Sequence, residues 1–345
     1  MKKKPVSIRN IAEELKISVT TVSFVLNGKA KEKHISKELT KKVLDYAKLI
    51  NYRPNQIAQS LRTGKSKILV FMVEDISNNF FSKLARIFED IAYEKGYKVI
   101  FCSNENDDEK SNELINLFKH RQVDGFIIVP SPGIKDTIEE LIQDHIPVVL
   151  LDRFFEEQDC NSVVIDNVQA AFDATQHLIQ NKFINIGFIT TASDQSQMKG
   201  RLTGYEKAVL EMGLKPNTLQ ISFNEIIKGK GKEYIHSFLK QNPDLDAVFF
   251  ATNYLAQSGL EVFKEHNPKL VKDLGIIAFD DNDMFKIYDP SITSVSQPLE
   301  EISSKLMDIM LPLLKKKEGS EINHKIMLKT QLIIRESSIA KVANT

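Results

Sequence analysis

Residues 8–27 read IRNIAEELKISVTTVSFVLN. Ile8, Ile11, Ala12 and Leu15 recur at helical spacing, and Val22, Val25 and Leu26 do so on a second short segment. Lys16-Ile17-Ser18 lies between, with Ser18 placed as the N-cap of a helix beginning at Val19. Two short helices joined by a tight turn need a small residue where they cross, and Ala12 fits that place. Ile11, Leu15, Ile17, Val22 and Val25 would fill the shared core. This is the helix-turn-helix pattern. Its second helix would present Val19, Thr20, Thr21, Ser23 and Phe24 near its N-terminal half, where major-groove contacts are made. A small helical bundle gives similar apolar spacing, so this stretch alone leaves both readings open. A third helix is expected over about Ser36 to Ile50, capped by Ser36, with Leu39, Val43, Ala47 and Ile50 on one face.

Charge sets this module apart. The 345 residues carry 46 Lys+Arg and 46 Asp+Glu, a total that argues against a polyanion partner. The distribution reverses the argument. Residues 1–65 hold 15 basic and 5 acidic side chains, a net of +10, whereas the other 280 hold 31 and 41, a net of −10. A hydrophobic fraction of 42% with 14 Gly and 11 Pro excludes disordered and fibrous chains. No apolar run is long enough for a membrane span, and the basic start is followed by a charged amphipathic segment, so a cytoplasmic protein without membrane contact is expected. Cys102 and Cys160 form no metal spacing and no disulfide framework, and reduced, partly buried thiols are expected.

From Lys67 strands and helices alternate. Ile68–Val73 is a continuous apolar run, read as a buried parallel strand. A helix near Phe81–Lys95 follows, then a strand at Tyr97–Cys102, a helix at 109–120, and strands at 125–129 and 148–152. The pattern restarts with a strand at 163–165 and a helix at 168–181. Strands near 186–190, 247–251 and 275–279 and helices near 199–212, 231–240 and 254–265 complete it. Repeated βα units give parallel sheets with right-handed crossovers, and two such blocks give two lobes with a cleft between.

The runs SIRNIAEELKISVTTVSFVLNGK and NYRPNQIAQSLRTGKS closely resemble the lactose-repressor (LacI/GalR) family of bacterial transcription regulators. DISNNFF at 75–81, VDGFII at 123–128, VVLLDR at 148–153, RLTGY at 201–205, AFDD at 278–281, VSQPLEEI at 295–302 and IIRESS at 333–338 extend the likeness over almost the whole chain. The resemblance implies an all-α helix-turn-helix DNA-binding headpiece (1–50), a hinge helix and linker (51–65), and a two-lobed α/β effector-binding and dimerisation domain of periplasmic-binding-protein type (66–345). The two parallel sheets would be flanked by helices. The first lobe would take about 66–164 and 294–325, the second about 165–293 and 326–345, with crossings near 165, 293 and 325.

The same resemblance assigns roles in the headpiece. Val19 and Thr20 sit where the family reads base edges, and Ser18, Thr21, Ser23 and Asn27 where it contacts phosphates or fixes the helix. The hinge segment carries Asn55, Ala58 and Leu61. Alone it is too short to be a stable helix. In the family it folds on DNA, and Leu61 matches the leucine wedged between base steps; the plain alternative is a linker leucine packing on the body. Lys16 stands where the family has Gly, so a slightly different turn is expected, an αL conformation being costlier for Lys. Phe24 stands where the family has Arg.

Ligands of open α/β sheets bind beyond the carboxyl ends of strands. Asn78, Phe80 and Phe81 follow the first strand, and Asp152 and Arg153 the strand at 148. Arg201 opens the RLTGY helix, Asn253 follows AVFFAT, Asp280 follows GIIAF, and Gln297 lies in a crossing. Planar hydrogen-bonding groups beside aromatic faces suit a polyhydroxylated ring. The resemblance implies effector contacts at these positions, more loosely for Asp152 and Arg153, nearer the cleft edge. Plainer roles stay open: a helix cap for Asp280, core packing for Phe80, a surface ion pair for Arg201, a structural pair for Asp152-Arg153. Asp281 reads as a structural carboxylate. Tyr254 departs from the family by replacing an acid.

Catalytic signals are absent. Gly229-Lys230-Gly231-Lys232 lacks the P-loop ending, no GxSxG or HExxH occurs, and the seven His show no metal spacing. The expected protein is a non-enzymatic homodimeric repressor of palindromic operator DNA, without metal or cofactor, controlled by a small molecule, foremost a sugar. A nucleobase-responsive regulator or a sugar-binding protein without regulatory role are the alternatives. The tail Ile339–Thr345 lacks leucine heptads, so no tetramerising coiled coil is expected. An Arg at position 24 could pair bidentately with guanine and Phe cannot. Phe24→Arg should therefore raise the preference for G at one half-site position; identical operator logos from selections with both proteins would refute this.

Overall fold

In the computed structural model, which describes residues 7–52, 60, 63–315 and 324–339, the chain divides into two units, Met1–Ser66 and Lys67–Thr345. The first holds helices Ile8–Glu14, Val19–Leu26 and Lys37–Leu49. Ser18 Oγ accepts from the Thr21 amide at 3.0 Å and Ser36 Oγ from the Leu39 amide at 3.2 Å, so each serine satisfies a donor the helix start would leave open. Ile11, Ala12, Val22, Val25, Val43 and Ala47 are buried together, with Leu15, Ile17, Leu39 and Ile50 packed around them. The turn at Lys16 does not depart from the left-handed geometry as the lysine had suggested. Lys16 takes φ +52, and the Ile17 and Lys16 amides donate to Ala12 O (3.0 Å) and Glu13 O (3.3 Å). That paired closure ties off the helix carbonyls and offsets the cost of αL at a non-glycine residue.

The second unit contains twelve strands among its described residues. They are β1 Ile68–Val73, β2 Lys98–Ser103, β3 Gly125–Ile128, β4 Val148–Leu151, β5 Ser162–Ile165, β6 Ile186–Ala192, β7 Asn217–Ser222, β8 Ala247–Phe250, β9 Gly275–Phe279, β10 Thr293–Ser296, β11 Lys325–Leu328 and β12 Gln331–Ile333. They form two sheets, in the orders β11-β5-β4-β3-β1-β2 and β12-β10-β9-β8-β6-β7. All pairings are parallel except β10 with β12. The two orders are the same winding used twice.

Alternation along each strand divides the apolar residues between two helical layers. In β1, Leu69, Phe71 and Val73 face Leu84 and Phe88 of helix Asn79–Glu94 and Ile302 and Leu306 of helix Leu299–Lys315. Val70 and Met72 face the other way, toward Ile115 of helix Asp108–His120 and Ile138 of helix Lys135–Gln143. The second sheet repeats the scheme, with Phe188 and Phe249 on one face and Ile189 and Phe250 on the other.

Two expectations are corrected. β10 belongs to the second sheet and β11 to the first, so the later crossings fall after Ser296 and Leu328 rather than near 293 and 325. The strand at 163–165, read as restarting the pattern, belongs to the first sheet, between β4 and β11. Helix Leu299–Lys315 buries Ile302, Leu306, Met307 and Met310 within its own lobe and exposes Glu300, Glu301, Ser304 and Asp308. Among the described residues, no helix is long and apolar enough to cross a membrane.

The RLTGY motif shows how sequence positions a side chain. Helices Asn167–Gln180 and Ser196–Glu211 cross at Gly204, where an added Cβ would lie 2.2 Å from Val168 O. Tyr205 stacks on Phe188 with ring centres 4.7 Å apart and donates to Ile186 O at 2.7 Å. Gly204→Ala should destabilise the body by about 1–3 kcal/mol, because the obstructing atom is backbone. Urea unfolding checks this, and an unchanged midpoint would contradict the close approach.

Candidate functional site

The chain ends of β1, β4, β6, β8 and β9 converge on one cavity of about 270 Å³ between the lobes. This is where open parallel sheets place ligands. Asn78, Phe80, Phe81, Asp152, Arg153, Arg201 and Asp280 line it, as do Glu74, Asn106, Thr191, Gln195, Gln197, Phe223 and Tyr254.

Arg201 lies in the second turn of helix Ser196–Glu211, not at its start, and is 2% exposed. Its Nε donates to Asn167 Oδ1 at 2.9 Å and its Nη1 to Ala251 O at 2.7 Å. Asp280 Oδ2 is 3.9 Å from Nη1, and the guanidinium carbon sits 3.6 Å from the centre of the Phe279 ring. The surface ion-pair reading of Arg201 is therefore excluded. Asp280 is also buried. Burial pushes its carboxyl above the ordinary range, assisted by nearby Asp152 and opposed by Arg201 and by Gln297, which donates at 2.6 Å. It caps no helix, since Asn282 caps the next one through the Met284 amide.

Arg153 is likewise buried rather than at the cleft edge, at 4% exposure. Its Nη2 donates to Glu74 Oε2 at 2.5 Å and its Nη1 to Asn106 Oδ1 at 2.8 Å. Burial works against its charge, but Glu74 and Asp152 outweigh that and raise its pKa. Tyr254, with Glu74 and both arginines around it, is pushed well above the ordinary phenol range, first by burial. Asp152 and Asp280 occupy the same position in the two sheets, after β4 and β9, and both have φ +68. Each amide donates to the neighbouring strand, at Val163 O (3.2 Å) and Val295 O (2.9 Å).

Asn253 and Gln297 stand behind this lining. Asn253 Nδ2 donates to Asn78 Oδ1 at 2.8 Å across the lobes, and Asn78 Oδ1 also caps the helix through the Phe80 amide. Gln195 Nε2 to Asn106 Oδ1 (2.8 Å), the Phe154 amide to Ser196 Oγ (3.2 Å), and Lys83 to Asp283 (2.8 Å) are further inter-lobe contacts. Glu74 escaped the sequence reading although it directly follows β1. Gln195 and Gln197 escaped because the helix was expected from about 199, and it begins at Ser196. Among the described residues no cluster of three or more His, Cys, Asp or Glu could hold a metal.

In the headpiece, Val19 is 41% exposed and Thr20 is exposed at the start of the second helix. Ser18 and Thr21 share a 2.8 Å hydroxyl contact, and Asn27 Nδ2 donates to Ser23 O at 2.7 Å. Phe24 is half-buried, with Lys33 Nζ 5.6 Å from its ring centre. Asn55, Ala58 and Leu61 lie outside the described residues.

A helix-turn-helix module and a two-lobed body of parallel sheets define the class of a DNA-binding regulator. The model described as "Bacterial regulatory proteins, lacI family" matches residues 7–55, and that of "Periplasmic binding proteins and sugar binding domain of LacI family" matches 65–335. The chain is 36% identical to the HTH-type transcriptional regulator RegA of Clostridium saccharobutylicum over 96% of its own length and 99% of that protein's. Its fold resembles the lac repressor dimer bound to operator and the anti-inducer ONPF (TM-score 0.84, 20% identity, 98% and 100% of the two chains). It also resembles a LacI family regulator from Enterococcus faecium with bound ribose (TM-score 0.69, 24% identity, 80% and 100%). The chain belongs to the LacI family and is a DNA-binding transcriptional regulator.

Asp281 meets the structural role expected of it. It lies 2.8 Å from Arg335 and accepts from Ser294 Oγ at 2.6 Å. Although burial opposes this, the two partners hold its carboxyl below the ordinary range. A depressed folded value means stability present above the unfolded pKa and lost as pH falls through the folded one. Asp281→Asn should therefore melt below the unsubstituted protein at pH 7, and the gap should close as pH falls through the aspartate range toward 3. Melting curves from pH 3 to 7 test this, and a gap that does not change with pH would count against it.

Proposed function

We propose that this regulator is a dimeric repressor whose hold on a palindromic operator is set by one sugar bound between the lobes of the body. The observation carrying the proposal is the cavity itself. Carboxylates, amides and two guanidiniums surround a small space that Phe80, Phe81 and Phe223 border with aromatic surface. Adjacent sugar hydroxyls suit planar pairs of donors and acceptors, and the apolar face of a ring suits the phenyl groups. The ribose described in the Enterococcus faecium regulator accords with this choice.

Val19 and Thr20 would read base edges from the second headpiece helix, with Phe24 able to touch a thymine methyl. Ser18, Thr21, Ser23 and Asn27 would fix that helix or contact phosphates, while Asn55, Ala58 and Leu61 would serve in the hinge. A second subunit presents the same helix to the other half-site. The ligand changes operator affinity only by its difference in affinity for two lobe arrangements.

An operator selected from random duplexes provides the test. Binding measured by fluorescence anisotropy should weaken steeply with salt, since the basic headpiece displaces counterions. A sugar found by thermal shift should alter that binding. Arg201→Ala and Asp280→Ala should each remove the sugar response and retain operator binding. A sugar whose effect survives both substitutions would place the ligand elsewhere, and a full chain that selects no operator would defeat the proposal.

A further inference from the structure

Resting on the reading of the cleft as a sugar site, we propose that its ligand is a single uncharged sugar ring, and that sugar phosphates and sugar acids are rejected. Anion recognition by side chains is strongest at a cation with free donors. Four carboxylates line the cavity, Glu74, Asp152, Asp194 and Asp280, against two guanidiniums. Asp194 is exposed and paired with Lys199 at 3.4 Å, which leaves three buried carboxylates facing two buried arginines.

Neither arginine offers a free fork. Both terminal nitrogens of Arg153 donate, to Glu74 and to Asn106. Its remaining Nε makes no hydrogen bond and lies 3.6 Å from Asp152 Oδ2. Arg201 uses Nε on Asn167 and Nη1 on Ala251, with Asp280 3.9 Å away. A phosphate entering here would meet a surplus of negative charge where little water screens it.

The unmet hydrogen-bonding demand is of both kinds: Arg153 Nε lacks an acceptor and Gln197 Oε1 lacks a donor, and a hydroxyl, which donates and accepts, answers both. Gln197 is 2% exposed, lines the cavity, and its Oε1 has no partner. A buried acceptor left open is costly, and it asks for a donor. The Asp152 and Asp280 carboxylates are also acceptors. A hydroxyl donates to such groups and accepts from what donors remain, whereas a phosphate dianion or a carboxylate only accepts. A volume of about 270 Å³ lies just below the usual span of ligand cavities, about 300–1,000 Å³, and this fits one ring.

Isothermal titration calorimetry on the full chain separates the possibilities. D-Ribose, D-xylose and D-glucose would be compared with ribose 5-phosphate, glucose 6-phosphate and gluconate, and with adenine and hypoxanthine. At least one neutral sugar should bind, with its phosphate weaker by tenfold or more. Glu74→Gln, which removes one charge and releases Arg153, should narrow that ratio. A phosphate or acid that binds as tightly as the neutral sugar overturns this proposal and leaves the sugar-responsive reading intact. Binding of purines alone, or of nothing in the panel, defeats both.

Discussion

A buried guanidinium must be answered by acceptors, and two of them organise the body of this regulator. An uncompensated charge in the interior costs several kcal/mol. Arg201 meets that requirement by drawing together the Ala251 carbonyl just after β8, the start of helix Asn167–Gln180 and the aspartate after β9. Arg153 does the same in the other lobe with Glu74 after β1 and Asn106 after β2. The floor of the cleft is therefore a consequence of charge satisfaction. Its shape follows from where strands end.

The repeated winding explains why the two halves of the cleft match. Asp152 and Asp280 leave corresponding strands in the same left-handed conformation. That conformation costs an ordinary L-residue roughly 1–2 kcal/mol, and aspartate is among the few that tolerate it. At both places the chain turns sharply at the sheet edge and leaves a carboxylate facing the ligand space. The contacts joining the lobes, Asn78 with Asn253, Asn106 with Gln195, and Lys83 with Asp283, are small polar links around that space. Beside these links one apolar cluster continues through both lobes, from Leu69 and Phe71 in the first to Phe188 and Phe249 in the second.

Charge is divided according to task. The first 65 residues carry +10 and the remaining 280 carry −10. A net negative body disfavours a duplex and a net positive module favours one. The surplus of acid persists inside the cleft, where it disfavours the anions that the headpiece attracts. The same neutral chain thus offers two surfaces of opposite electrostatic preference.

Local pattern was enough for the headpiece, because its helices depend on nearby signals. Ser18 and Ser36 cap, the apolar residues repeat at helical spacing, and the third helix was legible to within a residue. The buried strands β1, β4 and β8 were legible as apolar runs for the same reason. Edge strand β7 was not, since its half-exposed residues lack a clear alternation. Strand β10 was not either, since Thr293-Ser294-Val295-Ser296 is polar in composition and is held by its neighbours β9 and β12. Residues that follow strands pointed to Asn78, Asp152, Arg153, Arg201 and Asp280. By itself the sequence determined the two units, the repeated βα pattern of the body and the polar, aromatic character of the cleft. Only the tertiary structure decided that Asn253 and Gln297 brace the lining and that Glu74 and Gln197 join it. Only it placed both arginines in the interior, because burial and hydrogen-bond partnership arise between strand ends far apart in the chain.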